Sequence, residues 1–405
     1  MNSININGVS MNGISKIIVI KLRHIGDVLL TTPVYRALKE NFPDASITAL
    51  INSGTEEMIS LNPFVSETII FDRKVKELSF FKKYAKEYEF LKAIKRGRYD
   101  LAIDLTGGDR GAIISYLSGA RYRLGKDSGK PSLWGKKRLY TRPVVLDGAT
   151  HVVSQNLALL NAFGIKAASR AVEIFVPEDV EFSVEKSLKA RGIARGEPFV
   201  HVHPTARWFF KCWRDDYMAT VISWLLKAGV KVSVTSSADA RETEMLGNIV
   251  SRVRDEVPNH AGGLAVFPGT LTLKGLAALS RSSFMFFGVD SAPMHVAAAM
   301  DRPVTALFGP SGAFNWGPWD NHGNHSMQYA ERNGIQHSGC HTTIQQDWPC
   351  VPCGQDGCAG TKHSKCLDDL HPEEIIPILS DKLNKILQKD DILQRGEMKE
   401  RYATP

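Results

Sequence analysis

Short apolar runs rich in valine and isoleucine alternate with helix-forming segments through both halves of this 405-residue chain. The runs of strand length are 16–22, 45–52, 67–71 and 99–105 in the first half and 198–203, 231–236, 283–289 and 304–308 in the second. Such alternation is typical of parallel β-sheets built from β-α-β units. Because the chain is longer than one hydrophobic core usually serves, we predict two Rossmann-like α/β domains.

The domain boundary is predicted in segment 176–197, where Pro177 and Gly192 interrupt the alternation. We divide the chain into an N-terminal tail (1–15), a first domain (16–185), a second domain (186–370), a C-terminal helix (371–388) and a charged tail (389–405). No G-x-G-x-x-G motif follows the first strand, which disfavours a dinucleotide-dependent dehydrogenase.

Basic residues are concentrated in the first domain. The net charge is +7, from 50 Lys and Arg against 43 Asp and Glu, and such an excess favours an anionic partner. Segment 73–98 has ten Lys or Arg against three Glu, and segment 121–142 has eight against one Asp. Aromatic residues interleave the first cluster in the run SFFKKYAKEYEF. This pattern predicts either a basic amphipathic helix on an anionic membrane or a solvated face above core aromatics.

Apolar stretches in the chain are of strand length and much shorter than the roughly 20 residues that span a bilayer. The polar N-terminal tail lacks the charged and apolar regions of a signal peptide. We therefore expect a cytoplasmic protein.

The run DSAPMHVAAAMDRPVTALFGP follows the apolar run 283–289 and predicts an acidic turn, a helix and another strand. In an open α/β sheet, ligands bind beyond the carboxyl ends of the strands, where helix N-termini attract phosphate groups. We therefore expect Asp290 and His295 to line a crevice for a phosphorylated ligand. The alternative is that Asp290 only caps the helix and that His295 is buried in its first turn.

Asp27 follows the first strand in the run KLRHIGDVLL. A carboxylate at this position, facing a cleft between domains, is placed to accept a proton from a hydroxyl nucleophile. The alternative is a helix N-cap, but the neighbouring Lys21, Arg23 and His24 favour an anionic substrate.

Two loops of the second domain carry groups suited to a nucleotide. Thr205, Arg207 and Lys211 lie in HPTARWFFK, beside a predicted helix N-terminus, and form a candidate diphosphate site. Glu242 follows a later strand, where acidic residues bind ribose hydroxyls, and Leu271 is placed to pack on an adenine face. The alternatives are a solvated loop, a solvated helix carboxylate and a contact between Leu271 and its own helix.

The cysteines cluster near the C-terminus, at Cys350, Cys353, Cys358 and Cys366. Four thiols at these intervals can bind zinc in a structural site. In a reducing cytosol they can also stay free or pair weakly, and the sequence leaves these alternatives open.

Three blocks in this order resemble the heptosyltransferases of glycosyltransferase family 9. They are KIIVIKLRHIGDVLLTTPVYRALKENFPDA, HPTARWFFKCW and GVDSAPMHVAAAMDRPVTALFGPSG, and the resemblance extends over residues 16–388. The second and third blocks, together with the cysteine cluster, most resemble the subgroup of heptosyltransferase III in lipopolysaccharide inner-core synthesis.

The resemblance implies a GT-B fold, in which two Rossmann-like domains face each other across a cleft and a C-terminal helix crosses back to the first. The first domain binds the acceptor and the second binds the nucleotide-sugar. Asp27 falls on the family's catalytic carboxylate. The family's donor-binding positions fall on Thr205, Arg207, Lys211, Glu242, Leu271, Asp290, Ser291, Ala292, Met294 and His295. Many members carry glycine where Ala292 stands.

The implied reaction is inverting transfer of L-glycero-D-manno-heptose from ADP-heptose to a heptose of the lipopolysaccharide inner core. The resemblance implies no catalytic metal and no cofactor besides the donor, and it places the enzyme at the cytoplasmic face of the inner membrane. Transfer of the first or second core heptose is the nearest alternative. A nucleic-acid-binding protein with a cysteine-zinc module is the alternative of another class, and no groove-reading motif supports it.

Overall fold

The computed structural model describes residues 4–6, 9–11, 13–127, 135–323 and 328–401. Parts of the predicted N-terminal tail, the second basic cluster and the C-terminal tail thus lie outside the described residues. The chain begins with an antiparallel pair, β1 (Ile4–Ile6) and β2 (Val9–Met11).

The first domain contains a six-stranded parallel sheet in the order β5-β4-β3-β6-β7-β8. Its strands are β3 (Lys16–Lys21), β4 (Ser46–Asn52), β5 (Glu67–Phe71), β6 (Leu101–Asp104), β7 (Tyr122–Asp127) and β8 (Arg142–Val145). In the central strand β3, Ile17 lies between Ile47 and Leu101 of the neighbouring strands. The apolar residues of β3 are buried on both faces, which explains why its sequence is a continuous Ile/Val run.

Helices cover both faces of this sheet. They are α1 (Ile25–Leu29), α2 (Thr32–Asn41), α3 (Phe80–Arg96), α4 (Asp109–Leu117) and α5 (Val152–Asn161), with 3₁₀ turns at Glu56–Met58, Arg73–Glu77 and Lys136–Leu139. Helix α2 starts with a proline in its first turn and buries Val34, Tyr35 and Leu38, the i, i+1, i+4 pattern of an apolar stripe.

The second domain contains a seven-stranded sheet in the order β11-β10-β9-β12-β13-β15-β14, in which only β14 is antiparallel. Its strands are β9 (Phe199–His203), β10 (Lys231–Ser236), β11 (Leu264–Pro268), β12 (Met285–Val289), β13 (Val304–Phe308), β14 (Ile335–Ser338) and β15 (His341–Gln345). Its helices are α6 (Glu178–Lys189), α7 (Asp215–Lys227), α8 (Ala240–Glu256), α9 (Leu273–Ser282), α10 (Ala292–Ala299), α11 (Ala313–Trp316), α12 (Lys365–Asp368) and α13 (Pro372–Arg401), with 3₁₀ turns at Phe209–Lys211, Pro258–Gly263 and Cys358–Gly360.

The predicted fold class is confirmed, since both domains are parallel α/β units of Rossmann type. The sequence runs did not reveal β8, β11 or the hairpin of β14 and β15. Strand β8 has four residues, and the hairpin has polar residues such as His337 and Thr342, so these strands lack the apolar run that marks a central strand. Strand β11 (LAVFP) is as long and as apolar as the recognised strands of its sheet and was missed.

The domain boundary lies earlier than predicted. Helix α6 was assigned mostly to the first domain, but its Val184 and Leu188 are buried against Phe267 and Leu279 of the second. Val172 and Ile174 belong to the core of the first domain. The chain therefore passes between domains close to Pro177.

The C-terminal helix also differs from the prediction. Helix α13 continues to Arg401, beyond the predicted end at 388. Its described apolar residues Ile375, Leu379 and Leu383 join the core of the second domain and pack near α7, so they do not cross back to the first.

Contact with the first domain is made instead by the segment after β13. Trp319 is buried in the first domain's core, and the Asn315 amide donates to the Thr150 carbonyl at 2.8 Å. The Asn321 side chain accepts from the Val172 amide at 2.9 Å and donates to the Val172 carbonyl at 3.2 Å. This segment thus braces the connection between domains.

No helix within the described part of the chain combines the length and the apolar character needed to cross a bilayer.

Candidate active site

A cavity of about 870 Å³ lies between the domains, at the carboxyl ends of strands from both sheets. The structure brings together nearly every residue that the sequence singled out for the site. The predicted residues that line the cavity are Asp27, Thr205, Arg207, Lys211, Glu242, Leu271, Asp290, Ser291, Ala292 and His295.

Met294 is the exception among the predicted donor-binding residues. It is fully buried beside Phe286 and Phe308, within the core between α10 and the sheet, and it does not line the cavity. A helix turns about 100° per residue, so Met294 points inward while Ala292 and His295 face the cleft. The donor contact of Met294 therefore stays a prediction, without support from the position of its side chain.

Asp27 lies in the first turn of α1 and is the most accessible of the measured carboxylates at the cavity. The Lys21 ammonium lies 3.4 Å from Asp27 Oδ1, and the Asp27 side chain is 16% exposed. Burial lowers the pKa of Lys21, although Asp27 opposes this shift. A general base must present its carboxylate to the substrate, and the exposure of Asp27 at the cavity allows this.

The other carboxylates of the cavity already have close hydrogen-bond donors. Asp104, which the sequence analysis did not single out, accepts from Tyr140 Oη at 2.6 Å and from the Thr106 amide at 2.8 Å. Burial is the main cause that raises the pKa of Asp104. Its position at the end of β6 was the available signal, since carboxyl ends of parallel strands line ligand sites.

The two domains approach most closely where α1 faces α10. Gly26 lies inside α1, and its importance is steric. A β-carbon on Gly26 would lie 2.9 Å from His295 Cδ2 and 3.7 Å from Ala292 Cα. The absence of a side chain therefore lets His295 of the second domain pack against the first.

We expect Gly26→Ala to push α1 away from α10 and slow the enzyme. Added volume in a close-packed site costs about 1–3 kcal/mol of stability. Here the cost falls mainly on the contact between α1 and α10. Steady-state kinetics and thermal unfolding would measure the effect. Gly247→Ala is the matched control, because a β-carbon there meets open space. Equal behaviour of the two variants would contradict the steric role of Gly26.

Lys211 and Asp290 form an ion pair on the second domain's wall of the cavity. Lys211 Nζ donates to Asp290 Oδ2 at 2.6 Å. Burial alone would raise the pKa of Asp290, but Lys211, Ser311 and His295 outweigh it and hold this pKa below its ordinary value. The pair thus holds the Lys211 cation at the cavity.

The N-terminus of α10 presents unsatisfied groups beside this pair. Ser291 Oγ and His295 Nδ1 are buried and have no hydrogen-bond partner among the described residues. Burial lowers the pKa of His295 to about 4, against the influence of Asp290 and Asp27, so the imidazole is neutral at pH 7. An unpartnered hydroxyl and a helix N-terminus together suit an anionic oxygen ligand.

Behind the cavity, buried polar side chains form a chain of hydrogen bonds that begins at Glu242. Thr205 Oγ1 donates to Glu242 Oε2 at 2.7 Å and lies 3.3 Å from His203 Nε2. Thr235 Oγ1 lies 2.8 Å from both His203 Nδ1 and His201 Nε2. Fully bonded buried networks hold their members in one geometry, so Thr205 and Glu242 are fixed in place.

Arg207 and Trp208 form an exposed lip that reaches towards the first domain. An Arg207 guanidinium nitrogen lies 3.5 Å from His24 Nδ1, and the Trp208 ring meets the His24 ring edge-on at 6.3 Å. Trp208 was not among the predicted site residues, although it follows Arg207 in the run HPTARWFFK. The available signal was a tryptophan in a loop that already carried a candidate phosphate site.

The cysteines are free thiols in the described structure, with Cys350 and Cys353 exposed and Cys366 buried. Burial raises the pKa of Cys366 to about 12, and the other cysteines of the cluster add to this shift. Within the described ranges, no group of three or more His, Cys, Asp or Glu is arranged to hold a metal ion. A structural zinc site therefore stays an open alternative without support from this geometry.

A cavity between the strand ends of two Rossmann-like domains is the arrangement of GT-B glycosyltransferases, and this is the class that the fold and the site define. Residues 88–342 match the profile of Glycosyltransferase family 9 (heptosyltransferase). The chain belongs to this family of enzymes, as its sequence blocks predicted.

Individual family members show how far the similarity extends. Lipopolysaccharide heptosyltransferase 3 of Escherichia coli is 32% identical over 302 residues, which cover 74% of this chain and 85% of that protein. E. coli ADP-heptose lipopolysaccharide heptosyltransferase II has a TM-score of 0.69 at 20% identity and covers 93% of this chain and 99% of its own. E. coli heptosyltransferase WaaC with ADP has a TM-score of 0.65 at 16% identity, and the match covers 91% of this chain and 99% of that one. The two solved structures confirm the GT-B fold.

Proposed function

We propose that this enzyme transfers L-glycero-D-manno-heptose from ADP-heptose to a heptose of the lipopolysaccharide inner core, as heptosyltransferase III does. The observation that supports this most is an accessible carboxylate on one wall of the cavity, facing a cationic wall with a free helix N-terminus. The similarity to heptosyltransferase 3 supports the choice of acceptor.

Asp27 is the base of the proposed reaction. An acceptor hydroxyl oxygen attacks the anomeric carbon of the donor, the bond from this carbon to the phosphate oxygen breaks, and ADP leaves. The hydroxyl proton passes to Asp27. Attack from the face opposite to ADP inverts the anomeric configuration. Lys21 Nζ lies 3.4 Å from Asp27 Oδ1 and fixes the position of the carboxylate beside the cavity.

The second domain stabilises the departing diphosphate. Negative charge grows on the phosphate oxygen as the glycosidic bond breaks, and donors fixed in advance stabilise such charge most strongly. Lys211, Ser291 Oγ and the N-terminus of α10 lie on one side of the cavity. Glu242 is proposed to bind the ribose hydroxyls and Leu271 to pack on adenine, with Thr205, Arg207 and His295 completing the donor site.

One assay tests the proposed substrates. The purified enzyme is incubated with ADP-heptose and defined truncated core acceptors, and ADP release is followed together with the mass of the product. We expect release only with the acceptor that lacks the third heptose. Transfer to the acceptors for the first or second heptose would instead assign one of those steps.

The proposed location of the enzyme is the cytoplasmic face of the inner membrane. The proposed reaction uses no catalytic metal.

Lys211→Met should weaken ADP binding and destabilise the fold. A charge-assisted contact is worth about 1.5–3 kcal/mol, roughly 10- to 100-fold in dissociation constant. The variant also leaves Asp290 buried without its cation. This should lower the free energy of unfolding by less than the roughly 3–5 kcal/mol of a fully buried pair, because the Lys211 side chain is 22% exposed. Calorimetry with ADP and urea denaturation would measure the two effects.

Lys211→Met/Asp290→Asn separates these effects. The double variant removes the uncompensated carboxylate, so stability should return while ADP affinity stays low. Unchanged ADP affinity in Lys211→Met would contradict the phosphate role of Lys211.

A further inference from the structure

Helix α3 exposes an aromatic stripe that no described residue covers. Phe80, Phe81, Tyr84 and Tyr88 are 67%, 84%, 58% and 66% exposed. Their spacing places them along one side of the helix, and the Phe80 and Tyr84 rings lie 4.5 Å apart. The sequence alternative of core aromatics below a solvated face is therefore wrong for these four residues.

Among the described residues, the buried contacts of the helix with its domain lie in its C-terminal half. Ile94 is buried, and Phe90 and Leu91 pack beside it against Phe71 and Tyr99. All residues from 80 to 86 are exposed. Soluble monomers rarely expose contiguous apolar surface of this kind unless it binds something.

Lysines flank the stripe and determine the chemistry of its partner. Lys82, Lys83 and Lys86 are exposed beside the aromatic rings, and the Lys92 ammonium lies 5.8 Å from the centre of the Tyr88 ring. Segment 73–98 carries ten cations and three carboxylates. Aromatic rings that insert among lipid headgroups, with lysines directed at anionic phosphates, are typical of helices that lie in the bilayer interface.

The stripe is also close to the acceptor side of the active site. Arg73 lines the cavity and begins the 3₁₀ turn Arg73–Glu77, which leads directly into α3. An acceptor with a lipid anchor, held on the first domain's side of the cleft, would have its anchor near this helix.

We propose that the stripe Phe80, Phe81, Tyr84 and Tyr88, with its flanking lysines, docks the enzyme on the surface of an anionic bilayer. The inference rests on the proposed function in one respect, namely that the acceptor carries a lipid anchor. A second copy of the chain is the less favourable occupant, because two such faces would bring like positive charges together. Anionic lipid neutralises the same charges.

Cosedimentation with vesicles tests the proposal independently of catalysis. The full-length enzyme is mixed with vesicles of equal parts phosphatidylglycerol and phosphatidylethanolamine, or with phosphatidylcholine vesicles. We expect binding to the anionic vesicles only, and weaker binding at high salt because charges are screened. Phe80→Ser/Phe81→Ser/Tyr84→Ser/Tyr88→Ser should lower the partition coefficient at least about tenfold, and Lys82→Gln/Lys83→Gln/Lys86→Gln should remove the preference for anionic lipid.

Phe182→Ser is the matched control, since Phe182 is 71% exposed on α6 of the second domain, and it should bind vesicles like the wild type. Both α3 variants should keep wild-type turnover with a delipidated acceptor, so loss of docking is distinguishable from failure of the proposed reaction. Equal binding of the aromatic variant and the wild type would overturn the proposal. So would a wild-type dimer in sedimentation equilibrium that the aromatic substitutions dissociate, because a second copy would then occupy the face.

Discussion

Asp27→Asn is expected to fold, bind the donor normally and lose transfer activity by about 10²- to 10⁴-fold, the usual contribution of a general base. The amide keeps the size of the carboxylate but cannot take the acceptor proton. Lys21 then lacks its anionic neighbour at 3.4 Å, so a modest loss of stability accompanies the loss of rate. The measurement is single-turnover transfer from ADP-heptose, with ADP affinity determined separately by calorimetry.

Asp104→Asn is the informative comparison for this variant. Asp104 lines the same cavity and is fully buried, but its hydrogen bonds to Tyr140 and Thr106 give it a structural role. Its replacement should lower the melting temperature more than the turnover of the folded fraction. If Asp27→Asn retained near-normal transfer while Asp104→Asn abolished it, the base would have been assigned to the wrong strand end.

The second large effect is a steep loss of stability in mild acid. Burial is the main cause that lowers the pKa of His151, His203 and His341 to about 3 and that of His295 to about 4, and it lowers the pKa of His201 well below its ordinary value of 6.5. These histidines stay neutral in the folded protein, whereas the unfolded chain protonates them as pH falls through 6.5. The unfolded state then binds more protons, so stability falls with decreasing pH.

The size of this effect follows from the number of protons. Each proton contributes about 1.4 kcal/mol per pH unit, and the histidines together remove about 7 kcal/mol by roughly pH 5.5, comparable with the stability of a typical domain. Their contribution is fully present above pH 6.5 and is lost as pH falls towards 4. Urea denaturation at several pH values, with proton uptake measured on unfolding, would determine it.

His151→Asn is a matched variant for the acid effect. His151 is the N-cap of α5 and accepts from the Val153 amide, and asparagine is a good N-cap. The variant should take up about one proton fewer on unfolding. Negligible uptake by the wild type at pH values below 6.5 would show that the buried histidines are already charged in the native state.

The central strands and most of the cavity-lining residues of the second domain's candidate site were predictable from local sequence. Strands β3 and β12 are buried on both faces and read as continuous apolar runs, and the chemistry of α/β proteins lies just beyond such strands. Asp27 and Asp290 could therefore be placed at one cavity without a structure.

Tertiary packing decided what the sequence left open. Gly26 faces His295 across the domain interface, and no local pattern reports the distance between two domains. The aromatic spacing of α3 fits a buried or an exposed stripe equally well, and only the position of the helix at the edge of its domain distinguishes them. Lys136 was counted in the second basic cluster, but it is buried. A count of charges along the sequence does not show which charged side chains are buried in the fold.

The amide of Asn321, which pairs in both directions with the backbone of Val172, has a consequence for motion. Trp319 in the core of the first domain and the bond from Asn315 to Thr150 add two further attachments of the same segment. If the angle between the domains changes, these contacts must break or the segment must move with the first domain, although it follows a strand of the second.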